Sequence, residues 1–138
     1  MSIWQKKSRI LITCPKGVVP YLKAEIEALG FPVVQEIDTA VSTEGTLADT
    51  MSLNLHLRTA QHVLYQLQIF KALSPGALYE RLNAIPWETI LHDSGPSAYV
   101  CVTSVADHPD VTDSRYVNLR AKDAIVDRIR EKTGIRPD

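Results

Sequence analysis

Val33-Val34-Gln35-Glu36-Ile37-Asp38-Thr39-Ala40-Val41-Ser42-Thr43-Glu44 decides the fold of the first half of this 138-residue chain. Two runs rich in β-branched residues flank Asp38-Thr39, a spacing that joins neighbouring strands by a tight hairpin, and Gly45 ends the second strand. Toward the N-terminus, Arg9-Ile10-Leu11-Ile12-Thr13-Cys14 reads as a short strand stopped by Pro15 and Gly17. Val18, Leu22, Ile26 and Leu29 then recur at helical spacing; Pro20 is tolerated in the first turn and Gly30 with Pro32 closes the segment, predicting a helix over about 17–29. Toward the C-terminus, Leu47, Met51, Leu53 and Leu55 predict a second helix to about Leu57, and Val63, Tyr65, Leu67 and Ile69 alternate with Gln66 and Gln68 as a half-buried strand does. The resulting order βαββαβ is an α+β, ferredoxin-like arrangement: a four-stranded antiparallel sheet with two helices on one face.

Ser74-Pro75-Gly76 breaks the chain and sets the expected boundary between domains 1–73 and 74–138. Beyond it, Leu78, Tyr79, Leu82 and Ile85 predict a short helix, and Pro86-Trp87-Glu88 opens another that continues through Ile90 and Leu91. His92 to Pro96 is a loop, Ala98 to Val105 has strand composition, and Ala106 to Asp113 is a polar loop. Asp113 or Ser114 caps a final helix that runs to about Lys132 and ends at Gly134, with Pro137 beyond. The order ααβα looks truncated, because a lone strand cannot satisfy its own backbone groups. Its partners come from the first domain, from a longer natural chain, or from a second copy in a homo-oligomer.

With 45% hydrophobic and 22% charged residues, the chain has the apolar mass for a core, which excludes disorder and collagen-like repeats. Apolar runs such as Ile10-Leu11-Ile12 fall far short of the roughly 18 residues that cross a bilayer, so no membrane association is expected. The five-residue apolar segment after Lys6, Lys7 and Arg9 is too short for a signal-peptide core, and the cytoplasm is the expected compartment. Cys14 and Cys101 lie far apart without a Cys-x-x-Cys, as reduced thiols do, and a structural zinc site is not expected. The net charge of −1 conceals an uneven distribution: +5 over residues 1–23, −9 over 24–113 and +3 over 114–138. Two basic ends around an acidic middle fit either a polyanion-facing surface or simply solvated helix and strand faces.

The last helix carries the sharpest anomaly. Ile125, Ile129, Val126 and Leu119 define its apolar side, Lys122 falls in the middle of that side, and Arg115 lies within about 20° of Lys122 on the same stripe. Either Lys122 snorkels its aliphatic stem over the core or it contacts a phosphate. Arg120, Arg130 and Arg136 are close in sequence, and free N–H groups at Ser114-Arg115-Tyr116 favour an anion. Other constellations are weaker. His108 with Asp107, Asp110 and Asp113 lacks EF-hand spacing and reads as turn and cap residues, so no metal is assigned. His56 and His62 form no His-Glu-x-x-His, Cys14 reads as a packed small hydrophobe, and Trp87 as a core anchor. No Gly-x-Ser-x-Gly or Gly-rich phosphate or cofactor loop occurs, so no catalytic residue is assigned.

Thr13-Cys14-Pro15-Lys16-Gly17, Leu57-Arg58-Thr59-Ala60, Leu78-Tyr79 leading to Ile85-Pro86-Trp87, and Ser114-Arg115-Tyr116 with Leu119-Arg120-Ala121-Lys122-Asp123-Ala124-Ile125-Val126-Asp127 together resemble one family. It is the N-terminal region of THUMP-containing class I methyltransferases, similar to the bacterial 23S rRNA guanine-N2 methyltransferases once labelled adenine-specific DNA methylases. The resemblance implies a ferredoxin-like subdomain followed by a partial THUMP domain that holds structured RNA, 23S rRNA, for a C-terminal catalytic domain in cis. It implies S-adenosylmethionine for the full-length enzyme and no cofactor in this chain, which has no Asn-Pro-Pro-Tyr-like tetrapeptide. RNA contacts are expected at Arg115, Lys122, Arg120 and Arg136, with Lys16 and Arg58 as weaker ones. The basic surface is not extended to His62, where the family often has an arginine, nor to the acidic loop Asp107 to Asp113. The competing reading is a ferredoxin-like protein-interaction module without nucleic acid.

Overall fold

The computed structural model describes residues 2–91, 99–109 and 113–138, which fall into two compact units, Met1–Ile69 and Phe70–Asp138. In the first unit, strands β1 (Ser8–Thr13), β2 (Gln35–Ile37), β3 (Ala40–Gly45) and β4 (His62–Tyr65) form one sheet in the order β2-β3-β1-β4. Every neighbouring pair is antiparallel. Helix α1 (Val19–Ala28) joins β1 to β2 across β3, and α2 (Leu47–His56) joins β3 to β4 across β1. This is the expected ferredoxin-like α+β topology.

Alternation along β1 sets the core. Ile10, Ile12 and Cys14 are buried with Val41, with Leu22 and Ile26 of α1 and with Leu53 of α2, while Arg9 and Leu11 take the opposite face of the sheet. The two-residue turn at Asp38-Thr39 leaves Ile37 paired with Ala40, as the hairpin reading requires. Thr46 and Asp49 cap α2 reciprocally, each accepting from the other's backbone N–H. Gly45 is needed there because a Cβ would sit 2.9 Å from the Asp49 Oδ2.

The fourth strand is shorter than the alternation predicts. It ends at Tyr65, with one further bond from the Gln66 N–H to the Arg9 carbonyl, and Ile69 is 80% exposed. The reason is register: Ile10 faces Tyr65 and β1 begins at Ser8, so residues past Leu67 lie beyond the end of β1.

In the second unit, Ser74 caps α3 (Pro75–Asn83), with Pro75 in its first turn. The expected second helix is only a 3₁₀ turn, Trp87–Thr89. Asp113 caps α4 (Ser114–Thr133), and Gly134 ends it with φ at +78°. Residues 99–105 do not form the expected strand. Their backbone bonding among the described residues is one contact, the Val100 N–H to the Asp138 carbonyl, and no strand among those residues offers them a ladder. Three expectations, the His92 to Pro96 loop, the strand start at Ala98 and Asp110 of the acidic loop, lie outside the described residues.

The buried stripe of α4 comprises Ala121, Ala124, Ile125, Val126 and Ile129, and Leu119 is 63% exposed instead of belonging to it. Ala121 and Ala124 shift the centre of the stripe to Ile125, so half-buried Lys122 stands about 60° from that centre, between Ile129 and Val126. Trp87 is a core residue, 9% exposed, with its indole N–H donating to the Leu82 carbonyl at 2.7 Å.

Candidate nucleic-acid interface

Four side-chain contacts lock α3 and the Trp87 turn onto α4. The Tyr79 hydroxyl donates to the Asp127 Oδ2 at 2.6 Å, and the Asn83 amide donates to the Ala124 carbonyl at 3.1 Å. Arg128 forks onto Glu88, Nη2 to Oε1 at 2.8 Å and Nε to Oε2 at 3.0 Å, and its Nη1 donates to the Asn83 carbonyl at 3.3 Å. Both members of this pair are mostly buried. Arg128 is therefore a structural cation.

The remaining cations of α4 divide by partner. Arg115, 89% exposed in its side chain, turns back on Asp113, whose carboxylate also accepts the Arg115 backbone N–H and is held below its ordinary pKa by that guanidinium. The helix start is therefore already occupied by a carboxylate rather than open to an anion, because the cap residue is itself acidic. Arg130 stands 3.9 Å from Asp127. Arg120 places its guanidinium carbon 4.9 Å from the centroid of the Tyr79 ring, and among the described residues neither it nor Lys122 has a carboxylate within ion-pair range. Two residues apart, Arg120 and Lys122 point about 160° away from one another around the helix. Arg115 and Lys122 do share a stripe, whereas Arg120 faces α3. Arg136 is exposed beyond the helix end. The cations of the last helix thus occupy two sides of α4 rather than one.

Lys16 and Arg58 are both exposed in the first unit. Lys16 lines a hollow of about 420 Å³ together with Glu36 and Asp38, whose charges oppose an anion there. Arg58 is positioned by Glu25 of α1, whose carboxylate accepts the backbone N–H groups of Arg58 and Thr59 at 3.1 Å each and the Thr59 hydroxyl at 2.5 Å. Glu25 carries no signal in the sequence, and Tyr79, though part of the Leu78-Tyr79 motif, gives no sign there of its partner, since the partners lie 33 to 48 residues away. Cys14 is buried in the core with its thiol pKa raised by desolvation, the opposite of an activated nucleophile. Among the described residues no three His, Cys, Asp or Glu side chains cluster as a metal site, and no helix is long and apolar enough to cross a membrane.

These pairings make stability pH-dependent. The hydroxyl of Thr59 lowers the pKa of Glu25, and the guanidinium of Arg128 lowers that of Glu88. The unfolded chain then binds more protons in acid, so the stability they contribute is complete above the ordinary glutamate value, about 4.3, and is lost as pH falls through the lowered folded values. Glu88→Gln is expected to cost about 2 kcal/mol at neutral pH and to flatten the acid limb of a pH-stability profile followed by circular dichroism. An unchanged acid limb would remove Glu88 from this role.

Residues 9–64 match the family described as the RlmL ferredoxin-like domain. Over those residues the first unit is similar to that domain. A ribosomal RNA large subunit methyltransferase K/L of Syntrophotalea carbinolica is 36% identical over 129 residues, covering 94% of this chain and 18% of the relative. The relative of the same name from Magnetococcus marinus is 31% identical, again over 94% and 18%. Among solved structures, a Listeria monocytogenes protein described as a predicted N6-adenine-specific DNA methylase superposes with a TM-score of 0.71 at 26% identity, covering 96% of this chain and 35% of that one. The chain therefore spans under a fifth of the K/L relatives it matches and about a third of the solved methylase, and the matched domain lies within its first half.

Proposed function

We propose that this chain is the RNA-holding portion of an rRNA methyltransferase, in which the second unit is a partial THUMP-type domain that binds structured large-subunit (23S) rRNA. The carrying observation is that Arg120 and Lys122 lack carboxylate partners among the described residues, whereas Arg115, Arg128 and Arg130 have them. A polyanion supplies the missing counter-charge. Phosphate contacts fall to Lys122, Arg120 and Arg136; Arg115 joins them by exchanging Asp113 for phosphate, and Lys16 and Arg58 contribute weakly. The domain boundaries, 1–73 and 74–138, belong to this reading. The names and lengths of the relatives support a methyltransferase domain in cis; that it carries S-adenosylmethionine and methylates guanine N2 in the cytoplasm belongs to the same proposal. This chain's sequence holds no Gly-rich cofactor loop, so its own part is to bind and orient RNA.

A titration with a labelled stem-loop transcribed from 23S rRNA tests this. Affinity is expected to fall steeply with salt, since each phosphate neutralised contributes roughly 0.7–0.9 to the log–log slope. Lys122→Ala is expected to weaken binding by about fivefold and to lower that slope by roughly one, with the melting temperature unchanged. Early melting with unchanged affinity would make Lys122 structural. Binding that does not respond to salt would favour the protein-interaction module.

A further inference from the structure

We propose that Tyr79 is a positioning residue that orders Arg120 in advance for a backbone phosphate of RNA, with Asp127 fixing the ring. The inference rests on the RNA-binding reading above and adds a residue that carries no charge itself. Arg120 lies over the Tyr79 ring at 4.9 Å, and the Tyr79 hydroxyl donates to the Asp127 Oδ2 at 2.6 Å. Asp127 sits on α4 seven residues after Arg120, so ring and guanidinium are both referenced to the same helix. The other carboxylate oxygen, Oδ1, faces Arg130 at 3.9 Å. The chain Arg120, Tyr79, Asp127, Arg130 thus runs as one connected ridge along α3 and α4.

The chemistry of this contact differs from an ion pair. A ring face attracts the guanidinium through its quadrupole and leaves the N–H donors uncommitted, whereas a carboxylate would consume them. Donation of the phenol proton toward Asp127 increases the electron density of the ring and strengthens its hold. An arginine so held has already lost part of its rotamer freedom, and ordering one such side chain on binding otherwise costs roughly two- to thirteenfold in affinity.

The test uses the labelled rRNA stem-loop with the 138-residue chain and four variants: Arg120→Ala, Tyr79→Leu, Tyr79→Phe and the double variant Arg120→Ala/Tyr79→Leu. Tyr79→Leu is expected to weaken binding about threefold, Tyr79→Phe by less than about twofold because the ring remains, and Tyr79→Leu to have no further effect once Arg120 is Ala. The ring-current shift of the Arg120 side-chain resonances should disappear in Tyr79→Leu and persist in Tyr79→Phe. If Tyr79→Leu melts early, Tyr79→Met fills the space without a ring and carries the measurement. Equal losses in both backgrounds, or none beside an active Arg120, overturn the positioning role while RNA binding stands. No salt-sensitive binding by the unsubstituted chain overturns the functional reading itself.

Discussion

Truncating Trp87 to Ala lowers the stability of the second unit by about 4 kcal/mol. The indole is 9% exposed in a 3₁₀ turn packed on α4, and its N–H satisfies the Leu82 carbonyl at the end of α3. Its removal loses the largest side chain of that core, leaves a cavity and deletes a side-chain hydrogen bond to the Leu82 carbonyl, which keeps the Ile85 N–H as a donor. Small domains have few kcal/mol to lose, so the variant should show frayed α4 amides in hydrogen exchange and a much lower urea midpoint. Trp87→Phe should recover part of the loss by refilling the space, without recovering the hydrogen bond. A midpoint shift worth under about 1 kcal/mol in Trp87→Ala would show that the turn is not an anchor.

Leu53→Ala should cost the first unit about 3 kcal/mol. Leu53 is the one buried residue of α2, whose Met51 and Leu55 are exposed. It belongs to one buried cluster with Ile10, Ile12, Leu22, Ile26 and Val41, all of them fully buried, which leaves little freedom to collapse around a void. The reciprocal cap at Thr46 and Asp49 keeps the helix start formed, so the damage should concentrate in amide protection along α2 and β4. A variant that unfolds at the parental denaturant concentration would mean α2 is held by its cap and not by its face.

The parts of the fold legible in the sequence are those governed by neighbours in the chain. Asp38-Thr39, Gly45, Ser74-Pro75, Asp113 and Gly134 sit at turns and helix ends, because cap and turn chemistry acts over a few residues. The periodicity of residues 9–65 likewise identifies the βαββαβ order. Strand extent was less legible: the alternation through Ile69 outruns its partner, and the β-rich composition of 99–105 meets no ladder. Helix phase was misread where Leu119 outweighed Ala121 and Ala124, since small residues mark a close-packed side as surely as large ones do.

From its amino-acid order alone this chain has its element sequence, its hairpin, its caps and the concentration of positive charge in its last helix, all of them consequences of local propensity and period. Which cations stay available is a tertiary outcome. Glu88 commits Arg128 across 40 residues, Tyr79 engages Arg120 without consuming its donors, and Glu25 sets the Arg58 backbone from 33 residues away. Coulomb attraction and hydrogen-bond geometry depend on distance in space, and that distance exists only once α3 lies against α4 and α1 beside the loop that follows α2.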